Sequence, residues 1–210
     1  MAYMNLHVRG LRDRWQSPEG RQLQIMIVDT IRSGAGIERI VPKSFPGATE
    51  IEGLVDLRGV NLQHLKGVHA CLHYVCLDHA ILDGCDLTGA DLQFSTLRYA
   101  SLGGACLQSS AFIGVDASDA ILDSADCESA MMNSAVFSRA SFRRANLRRC
   151  DLSWSKLNSC CLVESVIACA DLYLADLREA DLSMADLAGT DLQHAKLEGA
   201  VLDSARFSDS

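Results

Sequence analysis

From Leu57 onward the chain places a large apolar side chain at every fifth residue. The register runs through Leu57, Leu62, Leu72, Leu77, Leu82, Leu87, Leu92, Leu97, Leu102 and Leu107 and reaches Phe207 without a shift. Of 31 such centres 22 are Leu and 4 are Phe; Gly67, Ala117, Cys127, Met132 and Ile167 depart, and only Gly67 lacks a side chain. Two residues before each centre the chain is almost always small, with Ala at 18 of the 31 positions. Residues two apart in extended chain share a face, so both positions point into a core, and a bend after each five-residue piece restarts the pattern. Neither a 3.6-residue helical turn nor a long strand has a period of five. Such self-similarity marks a repeat architecture.

Ala170-Asp171-Leu172, Ala175-Asp176-Leu177, Ala180-Asp181-Leu182 and Ala185-Asp186-Leu187 resemble the A-(D/N)-L-x-x signature of the pentapeptide-repeat family. The resemblance covers about three quarters of the chain. It implies an all-β fold: a right-handed quadrilateral β-helix with four pentapeptides per coil. Thirty-one pentapeptides then make about eight coils, a rod about 35 to 40 Å long at roughly 4.8 Å per coil. At ~1.5 to 3 kcal/mol per buried large apolar side chain, the Leu and Phe ladders outweigh any surface contribution. Stability becomes a column of similar increments between neighbouring coils.

Residues 1–53 lie outside the register and form a separate N-terminal segment, with the repeat occupying 54–210. Ser17-Pro18-Glu19 reads as an N-cap, a first-turn proline and a first-turn acid. Leu23, Met26, Ile27, Thr30 and Ile31 supply an apolar side, and Gly34 a stop. The spacing predicts a helix over 18–33; the run Ile25-Met26-Ile27-Val28 leaves a strand as the alternative. The helix is expected to cap the open first coil, since a bare solenoid end exposes backbone groups and apolar side chains. The segment could instead be a docking arm, with Trp15, Arg9, Arg12 and Arg14 as contacts. No helix is expected beyond Phe207.

The chain of 210 residues has a net charge of −8, and the acidity belongs to the repeat: 7 basic and 6 acidic residues in 1–53 against 12 and 21 in 54–210. That balance argues against direct nucleic-acid or membrane binding, which needs clustered Lys and Arg. There is no long apolar run or basic leader, and the nine cysteines form no C-x-x-C pair, so a cytoplasmic location with free thiols is expected.

Histidines and cysteines crowd the first coils at His64, His69, Cys71, His73, Cys76 and His79. On a four-sided coil they point outward from different sides, so no metal site is expected. Cys85, Cys127, Cys150 and Cys160 fall at inward positions. No phosphate loop, nucleophile elbow or zinc helix motif is present, and a rod without long loops offers no water-excluding cleft. Neither an enzyme nor a cofactor is expected. The 11 aspartates that directly precede centres read as outward residues bonding backbone near the corners.

Position modulo 20 sorts residues into sides. The side with centres Leu72, Leu92, Phe112, Met132, Leu152, Leu172 and Leu192 is the most apolar outside, with Tyr74, Phe94, Ile113, Trp154, Tyr173 and Leu174. The same side carries Asp151, Asp171 and Asp191 in a column, with Asp91 further up, whereas Asp176 lies between Lys156 and Lys196 in its own. Aromatics among polar residues are common binding anchors, which makes this the candidate interaction face. Along the rod, an acidic band (Asp116, Asp119, Asp123, Asp126, Glu128) precedes a basic one (Arg139, Arg143, Arg144, Arg148, Arg149), placed to pair with each other or with a partner bearing both signs.

The residues therefore point to a non-enzymatic protein-interaction scaffold, a monomer or homodimer with a protein partner. The family resemblance implies an alternative: a DNA-mimicking protein that binds DNA gyrase or another topoisomerase and confers resistance or self-immunity to its inhibitors. Acidity and rod shape fit; the Arg band and the absence of projecting loops fit less well.

Overall fold

The five-residue units close in the same way, except that Val75 N reaches the Leu72 carbonyl through Ser95 Oγ. The N–H three residues after a centre donates back to the centre's carbonyl, as from Ala80 to Leu77 (3.0 Å) and Ala90 to Leu87 (2.9 Å). The residue two after the centre takes a left-handed conformation, with φ of 55° at Tyr74 and 61° at Trp154. A side chain there costs roughly 1 to 2 kcal/mol. Bonding between coils offsets the cost, since the same residue's N–H reaches the next coil, as from Trp154 to the Tyr173 carbonyl (2.9 Å).

The computed structural model describes residues 10–33, 37 and 53–207. Within the repeat, the residue before each centre pairs in parallel with the residue twenty further on, from Asn61 with Ile81 to Asp186 with Arg206. Among the described residues only β1 (Val55–Asp56) and β2 (Val75–Cys76) extend this pairing over two positions. Twenty residues, four units, thus make one coil. Centre amides tie the coils together, for example Leu97 to the Asp116 carbonyl at 2.7 Å.

The inward positions are those the periodicity assigns. Leu72, Leu92, Phe112, Leu147 and the small residues between them are buried. Phe137 and Phe142 meet edge to face on adjoining sides at 5.1 Å. Small polar residues inside donate to turn carbonyls, as Ser95 Oγ to Leu72 O (2.6 Å) and Cys150 Sγ to Cys127 O (2.9 Å). Burial pushes the Cys85 thiol up to about 11 and the Cys150 thiol up to about 12. These inward cysteines are core residues with no ready thiolate.

Before the repeat, α1 spans Pro18–Arg32 and follows a 3₁₀ turn at Arg14–Gln16. Ser17 is the N-cap and accepts from Gly20 N at 2.9 Å, Pro18 opens the first turn, and Ser33 closes the last. Val28 therefore lies in a helix, not a strand, and Gly34 falls outside the described residues. The buried stripe is Gly20, Leu23, Ile27 and Ile31; Met26, assigned to that stripe from spacing, is exposed because it lies off the 3.6-residue line through Leu23, Ile27 and Ile31. Gly20 is needed because a Cβ there would fall 2.2 Å from the Arg14 carbonyl oxygen.

The helix continues the core of the coils. Ile31 Cγ2 lies 2.9 Å from where a Cβ of Gly67 would be, so the one centre without a side chain is filled by a residue of α1. The edge carbonyls of the first coil, which have no preceding coil to accept from, take side-chain donors. Arg58 O accepts from Trp15 Nε1 (2.9 Å) and Arg14 Nη2 (2.8 Å), and Asn61 O accepts from Gln24 Nε2. In the next coil the equivalent carbonyls, Asp78 O and Ile81 O, accept from Gly59 N and Leu62 N.

Candidate protein-interaction face

All eleven aspartates that precede centres use one carboxylate oxygen in the same way, accepting the N–H two residues on. Asp151 takes Ser153 N (3.0 Å), Asp171 takes Tyr173 N (2.8 Å) and Asp191 takes Gln193 N (2.8 Å); Asp56, Asp86, Asp91, Asp116, Asp126, Asp176, Asp181 and Asp186 repeat the contact. That N–H has no backbone acceptor among the described residues. The preference for Asp or Asn before each centre is thus a turn-closing bond, of the kind these side chains make in Asx turns.

What remains outside is distributed unevenly. On the side bearing Leu72 to Leu192, Tyr74 and Phe94 stack at 5.4 Å, with Phe94 over Gly114, where a Cβ would lie 3.0 Å from the ring. Glycine at that left-handed corner (φ 64°) gives the ring room. Further down, Trp154 meets Tyr173 edge to face at 6.2 Å, and Tyr173 meets His194 at 5.6 Å. Trp154 is 61 % exposed, more than any other large apolar side chain described, and Tyr74 and Phe94 are 51 % and 48 % exposed. Ile113, Tyr173 and Leu174 are half-buried beside them. Asp151, Asp171 and Asp191 follow one another in a bridged column and form no ion pair among the described residues; Asp91, separated from them by Ala111 and Met131, lies 3.3 Å from His73.

Elsewhere several acids meet arginines. Asp119 pairs with Arg139, Glu128 with Arg149 (3.5 Å), Glu164 with Arg144 (2.8 Å) and Asp78 with Arg98 (2.8 Å). The acidic and basic bands thus face each other in part, while Arg144 and Arg148 turn to Glu164 and, at 3.9 Å, Asp186. Asp123 accepts from Arg143 N (3.1 Å), and Asp116 and Asp126 accept from the turn amides of Ser118 and Glu128. Asp176 shares its column with Lys156 and Lys196, but its ion pair is with Arg178, whose hydrogen bonds hold the carboxyl below its ordinary value.

Of the residues expected as contacts of a docking arm, Trp15 and Arg14 pack on the first coil. Trp15 is 1 % exposed and Arg14 is clasped to Asp56 (2.9 and 3.0 Å), which also binds Arg58. Burial pushes the Asp56 carboxyl upward, but the Arg14 and Arg58 hydrogen bonds outweigh it and hold the group well below the usual carboxylate range. Arg12 is exposed, and Arg9 falls outside the described residues. In the His/Cys group, Cys71 Sγ lies 3.1 Å from His73 Nδ1. Cys76 is fully buried, contrary to its outward register position, and Thr96 bonds it across the coil (3.2 Å). Among the described residues no three His, Cys, Asp or Glu converge for a metal, and no helix is long and apolar enough to cross a membrane.

A solenoid of stacked coils with a filled axis defines a repeat protein. The chain belongs to the pentapeptide-repeat family: eight copies of the family's "Pentapeptide repeats" match residues 82–110, 110–149, 133–163 and 170–209, more than half of the chain. Family membership makes the solenoid a right-handed β-helix. Among solved structures the chain is similar to HetL, a pentapeptide repeat protein involved in heterocyst differentiation regulation from the cyanobacterium Nostoc sp. strain PCC 7120. The two are 31% identical over 72% of this chain and 78% of that one, with a TM-score of 0.40. It is also similar to QnrB1, a plasmid-mediated fluoroquinolone resistance protein (16% identity, 74% and 92% covered, TM-score 0.43), and to a pentapeptide repeat protein of the Arabidopsis thaliana thylakoid lumen (20% identity, 79% and 80% covered, TM-score 0.25). No curated protein matches the chain.

Proposed function

We propose that this protein is a non-enzymatic protein-interaction scaffold that binds a protein partner through the Leu72-to-Leu192 side of a rod of about eight coils. The observation that carries this reading is the exposed aromatic column of Tyr74, Phe94 and Trp154 on a molecule whose interior is filled. Large aromatics left half or more in water on a rigid support are the residues that dominate binding energy when a partner covers them. The backbone beneath them is fixed by inter-coil bonds, so little ordering entropy is lost on docking. Immobilised wild-type protein captures a discrete partner from a lysate of the native organism, and Trp154→Ala and Tyr173→Ala each deplete it; an unchanged bound set would refute the reading.

The alternative, mimicry of DNA toward gyrase or another topoisomerase, draws on the net charge of −8. Against it, arginines pair with acids on several sides, as in Asp78–Arg98, Asp119–Arg139, Glu128–Arg149, Glu164–Arg144 and Asp176–Arg178, so cations interrupt the negative surface that a duplex mimic would keep continuous. Gyrase supercoiling with a fluoroquinolone and rising protein separates the two readings: rescue would favour mimicry, and none is expected.

A further inference from the structure

The C-terminal half of the candidate face combines two parallel columns of different character. One is Asp151, Asp171 and Asp191, each with one oxygen committed to a turn amide and the other without a partner among the described residues. The second, along the adjoining corner, is Trp154, Leu174 and His194, with Tyr173 set edge-on between the Trp154 and His194 rings. Three residues separate the columns, a distance of at most about 10 Å. We propose that this half takes a basic amphipathic helix from a protein partner, its arginine or lysine stripe over the aspartates and its apolar stripe against Trp154, Tyr173 and Leu174. The proposal rests on the scaffold reading above and names the partner's chemistry.

Spacing decides between a helix and an extended strand. Aspartates in successive coils are about 4.8 Å apart. Successive turns of an α-helix lying along the rod are about 5.4 Å apart, so over two steps the registers drift by only about 1 Å, within the reach of Arg side chains. An extended peptide places same-side residues about 6.8 Å apart and drifts by about 4 Å over the same two steps. A helix about 10 to 12 Å across also spans both columns at once.

Width and charge narrow the choice further. The strip is flanked by Arg149 at one corner, which engages Glu128, and by Lys156 and Lys196 on the next side, in the column of Asp176. A broad cationic surface would meet these positive residues, whereas a single helix fits between them. Unpaired like charges stacked at coil spacing repel mildly, and a cationic stripe relieves that repulsion. An arginine over the exposed Trp154 ring adds a cation–π contact.

The test uses the full chain and three synthetic peptides: a helix former with arginines at i, i+4 and i+7 beside a leucine stripe, an isomer with the arginines scattered around the helix, and an extended peptide of alternating Arg and Ser. Trp154 fluorescence reports binding, since the only other tryptophan, Trp15, is buried. The striped peptide is expected to bind saturably, about tenfold tighter than either control, and to weaken with added salt. The triple variant Asp151→Asn, Asp171→Asn, Asp191→Asn retains every turn-closing oxygen, so it folds, and it is expected to bind the striped peptide about tenfold more weakly. No binding, equal binding by a control peptide, or an unaffected triple variant would overturn the proposal. If lysate capture still depends on Trp154 in that event, the scaffold reading survives and only the helix assignment falls; capture indifferent to Trp154→Ala removes both.

Discussion

The top of the rod and its body meet the same physical requirement by different means. In the body, each coil's carbonyl edge is satisfied by amides of the coil before it, as Asp116 O is by Leu97 N. At the top no earlier coil exists in the described chain, and Arg14, Trp15 and Gln24 supply the donors from side chains. The apolar counterpart is Ile31, which occupies the space that the side chain of a centre would fill above Gly67. A regular backbone array is thus closed by an irregular set of side chains. The body's stability is spread over many equivalent contacts, whereas the cap's rests on a few.

The strongest break falls in the body. Leu147→Asp puts an unpaired charge on an axis position that is 0 % exposed, and should cost about 5 kcal/mol or more in urea unfolding. Because coils interact only with neighbours, the lost protection should centre on its own coil and the two beside it.

At the cap, Arg14→Ala removes a guanidinium clasped to the buried Asp56 and withdraws a donor from the Arg58 carbonyl. A loss of about 3 kcal/mol is expected, with faster amide exchange in the first coil and unchanged exchange near Leu147. Ile31→Ala should cost about 2 to 4 kcal/mol by emptying the space above Gly67. Combining it with Gly67→Ala should recover about 1 kcal/mol of that loss, a coupling measurable in a double-mutant cycle and absent if the two do not touch.

The smallest effects come from the thiols. Exposed Cys106 and Cys169 should react readily with a thiol reagent, while Cys76, Cys85, Cys127, Cys150 and Cys160 react only on unfolding. The Cys85 and Cys150 thiols are held up to about 11 and about 12 in the folded rod, against an ordinary 9.0. Since the folded state keeps protons that the unfolded chain sheds, their contribution is complete below about pH 9 and declines as pH rises toward those values. Chemical denaturation at pH 8 and pH 10.5 reads this; equal stability would contradict it.

The contrast between body and cap also explains what was legible beforehand. Local repetition encodes the body: Leu at the centre, Ala two before it and Asp before it act within one pentapeptide or between identical positions of adjacent coils. Periodicity therefore placed Phe112, Leu147 and the Asp151 column correctly, once the family resemblance had supplied the coil size. The α1 start was equally local, through Ser17 and Pro18. The Arg14–Asp56 clasp, the Ile31–Gly67 fit and the burial of Cys76 bring together positions with no shared period, and no local pattern announces them. On the candidate face, column membership could be read from residue number, but the pairing of charges could not: Asp176 sits between two lysines and bonds Arg178.

Amide hydrogen exchange resolved by residue tests the common basis of all this most directly. From Leu82 to Leu182 the residue after each centre has no backbone acceptor among the described residues, while the other four amides of each unit are bonded to backbone; an Asp or Asn side chain takes that amide at positions such as Ser153 and Tyr173, and none takes it at Gln108, Ile113, Asn133 and Val163. Fast exchange is expected only at positions five residues apart or multiples of five, fastest at Gln108, Ile113, Asn133 and Val163 and slower where an Asp accepts the amide, as at Ser153 and Tyr173. Protection with a 3.6-residue period, or with no period, would contradict it.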